Sequence, residues 1–332
     1  MPDSYLACDG ENVLIRLENE VKFRVPVHNL EGIVCFGFAG ASPKLMSLCC
    51  ERGVSLSFLT EYGKFMARVT GKVSGNVVLR RTQYRWADDA EKSNRLARRF
   101  IAAKIVNSRA LLHRALRDHV DVVETEPLER ALALMAGMIP RLEQAESGDV
   151  LRGIEGEAAN TYFANFNQML LAQKETFRLN NRNRRPPTDP INALLSFLYT
   201  LLAHETEAAL ESVGLDPQVG FLHRDRPGRA SLALDLMEEL RPHFADRLAL
   251  TLVNRRQITR KGFVTKENDA VIMDDETRKE VLTAWQKRKQ EEITHPYLDE
   301  KIPLGLVPYA QAMLLARHLR GDLEDYPPFF WK

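Results

Sequence analysis

The residues best equipped for chemistry lie in the stretch from His223 to Pro242, HRDRPGRASLALDLMEELRP. After a loop containing proline and glycine, Ser231 is placed to cap a helix, and Leu232, Ala233, Leu236, Met237 and Leu240 fall on one side of the helical period. Asp235, Glu238 and Glu239 fall on the other side, where i/i+3 and i/i+4 spacing makes carboxylates neighbours. The plain reading of such a face is that water covers it. Against that reading, the loop feeding the helix carries an imidazole, His223, and the guanidinium groups of Arg224, Arg226 and Arg229. A histidine beside clustered carboxylates is a ligand set for Mn2+ or Mg2+, whereas zinc draws on more histidine or cysteine. Arginines close by suit a phosphate-bearing substrate.

Such a site needs another ligand. In RGIEGEAANTYFANFNQML, residues 152–170, Ala158, Ala159, Tyr162, Phe163, Phe166, Met169 and Leu170 share one helical face, with Glu155 near its middle and Glu157 pointing away. An ionised carboxylate on an apolar face is costly unless a cation or a hydrogen-bond network satisfies it. Glu155 is therefore the candidate for the missing ligand, against the simpler reading of a first-turn glutamate facing the helix dipole. Gly153 and Gly156 beside it would let a backbone or a substrate approach closely.

A polyanion also needs a surface to lie on. The long helix over ADDAEKSNRLARRFIAAKIVNSRALLHRALRDHV is basic after its opening turn, with Arg95, Arg98, Arg99, Lys104, Arg109, Arg114 and Arg117, and Arg80, Arg81 and Arg85 precede it. That makes a phosphate-contact stripe, the alternative being an ordinary charged helix surface. The loop NNRNRRPPTDP crowds Arg182, Arg184 and Arg185 before two stiffening prolines. His204 begins HETEA, which fails the HExxH zinc spacing and reads as structural.

The elements that must hold these groups change character along the chain. At 332 residues it is long enough for two domains. Residues 1–85 read as a small β-rich domain: SYLAC, NVLIRL, VKFRVPV, VSLSFLT, FMARVTG and VVLRRTQY as strands, a hairpin signal at DGEN, a turn at EYGK, and one helix, SPKLMSLCCERG, between Ser42 and Gly53. Residues 86–332 read as an all-α domain, with a helix kinked or ended at Pro140, a nearly all-apolar helix from Asp189 and Pro190, a short hairpin in KGFVTKENDAVIM, and an aromatic, proline-rich tail that must dock on its own domain or on a partner. The fold class is thus α+β multidomain. Lys+Arg 46 against Asp+Glu 45 leaves a formal charge of +1, so attraction to nucleic acid must come from local patches. No secretion signal and no membrane-length apolar run is visible, which points to a soluble cytoplasmic protein. Cys8, Cys35, Cys49 and Cys50 form no CxxC pair and read as reduced, mostly buried side chains.

Taken together, these stretches resemble the CRISPR adaptation integrase family of metal-dependent DNA endonuclease/integrases. The resemblance runs from about Ala7 to the last residue and rests on GVSLSFLTEYGKFMARVTG, GNVVLRRTQY, RGIEGEAANTYF, NRNRRPPTDPINALLSFLYTLL, GLDPQVGFLH and SLALDLMEELRP in that order. The final stretch, GLVPYAQAMLLARHLRGDLEDYPPFFWK, resembles the version found with type I systems, subtype I-C in particular. The resemblance implies an N-terminal β domain that mediates homodimerisation and a helical domain that carries the active site. It makes Glu155 of GIEG, His223 of GFLH and Glu238 of DLMEE the ligands of Mn2+ or Mg2+, and it matches Asp235 to a further family aspartate. Some members have aspartate as the third ligand, so Glu238 is a longer arm. The residues alone do not separate Glu238 from Glu239, and that choice comes from the resemblance. Asp235 would orient His223 or act as a base, orientation ranking first. The implied reactions are phosphodiester hydrolysis by water and transesterification by a DNA 3′-hydroxyl. Arg182, Arg184, Arg185, Arg224 and Arg226 would contact DNA. The implied partners are double-stranded DNA (spacer precursor and CRISPR repeat), a small ferredoxin-like subunit bridging two dimers and, in some systems, a spacer-trimming nuclease. Two other readings compete: a stand-alone nuclease for branched DNA, and a non-catalytic helical DNA-binding scaffold whose acids are solvated.

Overall fold

A tight turn starts the chain. In the computed structural model, which describes residues 4–18, 20–30, 32–37, 39–60, 65–71, 77–183 and 186–331, Gly10 takes φ 55° and folds β1 (Tyr5–Asp9) back on β2 (Asn12–Leu17) at the hairpin the sequence signals. The turn expected at 61–64 and the arginines Arg184 and Arg185 lie outside the described residues. Strand β3 (Glu20–Pro26) pairs antiparallel with β2. After β4 (Gly32–Phe36), the short β5 (Gly40–Ala41) joins β1 in parallel, giving the sheet order β3-β2-β1-β5. Helix α1 (Pro43–Arg52) follows, with Leu45 N–H donating to the Ser42 hydroxyl at 3.2 Å and Gly53 ending it at φ 69°. It leads to β6 (Ser55–Leu59), which lies between β4 and β7 (Phe65–Val69) in a second sheet. Leu6, Val13, Val27, Cys35, Leu45, Cys49 and Leu56 form the core of this unit. Burial pushes the Cys35 and Cys49 thiols up to about 11, so both pack as protonated, apolar groups. Strands β4 and β5 were not anticipated from the pattern.

The chain divides into units 1–75 and 76–332, earlier than the break expected after residue 85. The reason is a correction: VVLRRTQY is not a strand but the start of helix α2 (Val77–Asp88). Its β-branched opening reads as strand, yet the residues it buries, Leu79 and Gln83, are spaced i/i+4. The Gln83 amide donates to the Asp216 and Val219 carbonyls at 2.7 and 2.8 Å and accepts from Asp216 N–H at 2.9 Å. That buried amide locks the segment as helix.

The second unit is helical, as expected. Asp89 caps α3 (Ala90–Asp118). Helix α4 (Thr125–Glu143) runs through Pro140 rather than ending there. Next come α5 (Gly148–Ala164), and α6 (Pro190–Ser212) capped by Asp189, which accepts from Asn192 N–H at 2.8 Å. Helix α7 (Ser231–Glu238) includes Ser231 as its first residue, with Ala230 at the cap position, so the serine does not cap it. A π-helical turn, Pro242–Asp246, leads to α8 (Arg247–Asn254). Strands β8 (Phe263–Thr265) and β9 (Val271–Met273) form the anticipated hairpin, α9 (Asp275–Lys289) follows, and a second hairpin, β10 (Glu292–Thr294) with β11 (Lys301–Pro303), precedes α10 (Val307–Arg320). Helix α3 packs on α4, α5 and α7, while α6 packs on α7 and α10. Leu96, Phe100, Leu210, Phe221, Leu232, Leu236, Leu315 and Tyr326 share one core. The short α7 is therefore enclosed. Among the described residues, no helix is long and apolar enough to cross a membrane.

Candidate active site

The acids of α7 are not solvated: Asp235, Glu238 and Glu239 are 0, 2 and 0% exposed. Each must be satisfied inside the protein, and each solves the problem differently.

Asp235 organises the loop before its own helix. Its carboxylate accepts the backbone N–H groups of Phe221, Leu222 and His223 at 2.6, 2.9 and 2.9 Å, and His223 Nδ1 lies 2.6 Å from its Oδ1. With Nδ1–H donating to a carboxylate, Nε2 keeps its lone pair, which is the form of imidazole that binds a metal. The wrap is tight because Gly220 has no side chain: a Cβ there would stand 2.7 Å from Asp235 Oδ2 and 2.9 Å from Ser231.

Glu239 faces the C-terminal tail. Its carboxylate accepts from the Tyr326 hydroxyl at 2.5 Å, Phe329 N–H at 2.6 Å and the Gln311 amide at 3.0 Å. Burial outweighs these bonds and pushes it up to about 8. Asn107 holds the same tail, accepting from Trp331 N–H at 2.8 Å and donating to the Phe329 carbonyl at 2.7 Å. The aromatic tail thus docks on its own domain, and Glu239 is a structural residue.

Glu238 turns to the remaining side, towards α3 and α5. Its Oε1 lies 2.7 Å from Arg241 Nη1 and its Oε2 lies 2.8 Å from Lys104 Nζ. The same Lys104 ammonium pairs with Glu155 Oε1. Burial opposes the charge on Glu238, but Arg241, Lys104 and His223 hold it down at about 2. Burial likewise opposes the charge on Lys104, and Glu238 and Glu155 leave it above the ordinary lysine range. Two carboxylates from distant parts of the chain therefore meet at one cation, with His223 close enough to act on Glu238. Among the described residues, no three His, Cys, Asp or Glu side chains converge as a metal cluster. The Lys104 ammonium stands between the two glutamates. The donor set nonetheless fits a hard divalent ion: two carboxylates already sharing a cation, and an imidazole with a fixed tautomer.

Part of the basic stripe along α3 turns inward, while the Arg95, Arg114 and Arg117 side chains stay exposed. Lys104 belongs to the carboxylate pair, Arg98 donates to the Leu142 and Ala145 carbonyls at 3.0 and 2.6 Å, Arg99 binds Asp325 at 2.6 Å, and Arg109 donates to the Leu132 carbonyl at 3.2 Å. These arginines hold helices and tail together. Arg182 donates to the Asn183 carbonyl and Asn192 side chain, each at 2.6 Å, and sits over the Tyr199 ring. Arg226 is exposed, and Arg224 is exposed while paired with Asp149 at 2.5 Å. Glu157, facing away as expected, pairs with Arg141 at 2.9 Å. Among the described residues, nothing lies within 4 Å of a Cβ built at Gly153 or Gly156, so both positions border open space.

Sequence reasoning missed Lys104 and Arg241 as members of the site. A signal for Lys104 existed: it falls on the helical face of Phe100, Ser108 and Leu111, where a lysine needs a carboxylate.

The sequence matches the model of the family described as CRISPR associated protein Cas1 over residues 1–287. It is 51% identical over 329 residues to CRISPR-associated endonuclease Cas1 1 of Chlorobaculum tepidum, covering 99% of this chain and 96% of that one. The fold is similar to a casposase bound to integration product (TM-score 0.84, 23% identity, covering 99% and 92%). It is also similar to a chain of a Cas6-RT-Cas1–Cas2 complex (TM-score 0.81, 24% identity, covering 99% and 35%). This chain belongs to the Cas1 family.

Proposed function

We propose that the chain is a CRISPR-associated DNA endonuclease and integrase that joins the 3′-hydroxyl ends of new spacer DNA into the CRISPR array. The observation that carries the reading is the meeting of Glu155 and Glu238 at a single cation, beside a histidine oriented by Asp235. Glu155, His223 and Glu238 would hold Mn2+ or Mg2+. A bound divalent ion supplies charge stabilisation on the attacking and leaving oxygens of a phosphodiester. Asp235 acts through His223, fixing which nitrogen is free, and does not touch substrate. In strand transfer one P–O bond forms as another breaks, so the reaction needs no covalent protein intermediate. Arg224 and Arg226, on the exposed loop leading to α7, suit phosphate contacts, as would Arg184 and Arg185.

Two features fit an assembly. Strand β3 is the edge of its sheet and exposes Val21 and Phe23, which suits homodimerisation through the N-terminal unit. The similar chain in a Cas6-RT-Cas1–Cas2 complex supports Cas2 as a partner, which would be the small ferredoxin-like subunit proposed to bridge two dimers. The reading places the protein in the cytoplasm, where chromosomal DNA is its substrate.

The test is strand transfer on a labelled branched DNA with a free 3′-hydroxyl, in Mn2+, comparing the parent with Glu155→Ala. A joined product from the parent alone supports the integrase. Cleavage without joining favours a stand-alone nuclease. No reaction, even with the bridging subunit added, leaves a DNA-binding scaffold.

A further inference from the structure

We propose that Lys104 is a resident cation that holds Glu155 and Glu238 together in the metal-free protein and competes with a divalent ion for their carboxylates. The inference rests on the metal site proposed above and assigns this side chain a role towards it. Its Nζ bridges the two glutamates, 2.8 Å from Glu238 Oε2, and its side chain is only 11% exposed. A lysine on the buried face of α3 has little reason to be there except those carboxylates. Glu238 does not need it for neutralisation alone, because Arg241 already binds the other oxygen at 2.7 Å. The bridging ammonium is thus the replaceable member: when it leaves, Glu238 keeps Arg241, and both carboxylates present a free oxygen to the same point.

The ammonium also borders open space. Lys104 lines a cavity of about 20 Å³ together with Tyr162, Tyr199, Arg241 and Asp246. Asp246 accepts from the Tyr199 and Tyr162 hydroxyls at 2.6 and 3.0 Å, so the wall beside the ammonium is polar and hydrogen-bonded. Two like-charged carboxylates left without a cation would repel. A lysine that fills the gap keeps them in ligating position, at the cost of weaker metal binding.

The test is calorimetric titration with Mn2+, alongside melting in EDTA and in Mn2+, on the full chain of the parent and of Lys104→Met. The variant is expected to melt lower than the parent in EDTA, to bind Mn2+ at least tenfold more tightly, and to show the larger rise in melting temperature with Mn2+. Adding Glu155→Gln to Lys104→Met should remove that tighter binding. If Lys104→Met does not fold, Lys104→Gln, which can hydrogen-bond both carboxylates without charge, carries the same comparison. A parent that binds Mn2+ and a variant that binds it equally or less tightly overturns the role of Lys104 and leaves the metal site standing. Absence of Mn2+ binding in both overturns the metal site as well.

Discussion

The Asp235 carboxylate reaches the His223 imidazole at 2.6 Å while also accepting three successive backbone N–H groups, including that of His223 itself. One buried acid therefore fixes both the path of the loop and the orientation of the ring. Replacing Asp235 with Asn keeps the size and one accepting oxygen; with that oxygen on the Phe221 and Leu222 N–H groups, the amide NH2 faces His223 Nδ1 and no longer keeps the proton there. Strand transfer by Asp235→Asn should fall about 10- to 100-fold, the usual effect of losing a partner of a metal-binding histidine. Mn2+ affinity should fall with it, while the circular dichroism spectrum stays that of the parent. Unchanged Mn2+ affinity would remove Asp235 from the positioning role.

Glu238 and Glu239 are adjacent, both buried, and face opposite demands. Glu238→Gln should abolish the rise in melting temperature on adding Mn2+, because it removes one of the proposed ligands. Glu239→Ala should leave that rise in place and lower stability to urea by roughly 3 kcal/mol, because the buried Tyr326 hydroxyl and Phe329 N–H lose their acceptor. The two variants separate a ligand from a tail anchor. If Glu239→Ala removed the Mn2+ response and Glu238→Gln did not, the assignment would be reversed.

Much of this site was legible because its residue types are expensive to place anywhere else. Glu155 on an apolar face, and a histidine with arginines feeding an acidic helix, are patterns that composition does not produce idly. The helical wheel gives angle but not depth. It set Asp235, Glu238 and Glu239 on one polar side, and could not show that α3, α6, α10 and the C-terminal tail enclose α7 all round. The inward-facing part of the long helix α3 misled in the opposite way. A run of basic residues reads as a surface stripe, yet Lys104, Arg98, Arg99 and Arg109 each find carboxylates or carbonyls supplied by segments distant in sequence. At the start of the helical unit, the β-branched opening of α2 outweighed the i/i+4 burial of Leu79 and Gln83, and the partner of that buried amide lies near residue 216.

Strand β3 bears on assembly. Among the described residues it pairs only with β2, and it leaves Val21 and Phe23 49 and 52% exposed. Val21 and Phe23 alternate with Glu20, Lys22 and Arg24, so one face of this edge strand is apolar and exposed. If the N-terminal unit forms the proposed dimer through this strand, the double variant Val21→Lys, Phe23→Lys should shift the protein to monomer in light scattering, without lowering the melting temperature of the helical unit. A variant that stays dimeric would place the dimer contact elsewhere.

His243 supplies a prediction in pH. It is buried, Trp331 stacks on its ring at 3.5 Å between centroids, and Arg288 Nη2 lies 3.3 Å from its Nε2. Burial, followed by repulsion from Arg288, Arg247 and Arg114, holds it down at about 2, against 6.5 for an unperturbed imidazole. The folded value lies below the unfolded one, so below pH 6.5 the unfolded chain takes up a proton that the fold refuses. The contribution of a neutral His243 is intact above pH 6.5 and is lost as pH falls, at about 1.4 kcal/mol per pH unit. Asp246, raised by burial from 3.8 to about 6, and Glu239, raised from 4.5 to about 8, act in the opposite sense, losing their contribution as pH rises through those windows. The net stability curve therefore mixes the three, and the difference between parent and His243→Gln isolates one. The glutamine amide oxygen can accept from Arg288 but does not titrate. The variant should be less stable than the parent at pH 7.5, and the gap should narrow by about 1.4 kcal/mol per unit once the pH drops below 6.5. A gap that stays constant to pH 5 would mean that His243 takes up its proton in the folded protein, and that the stacked Trp331 and the three arginines do not enforce neutrality.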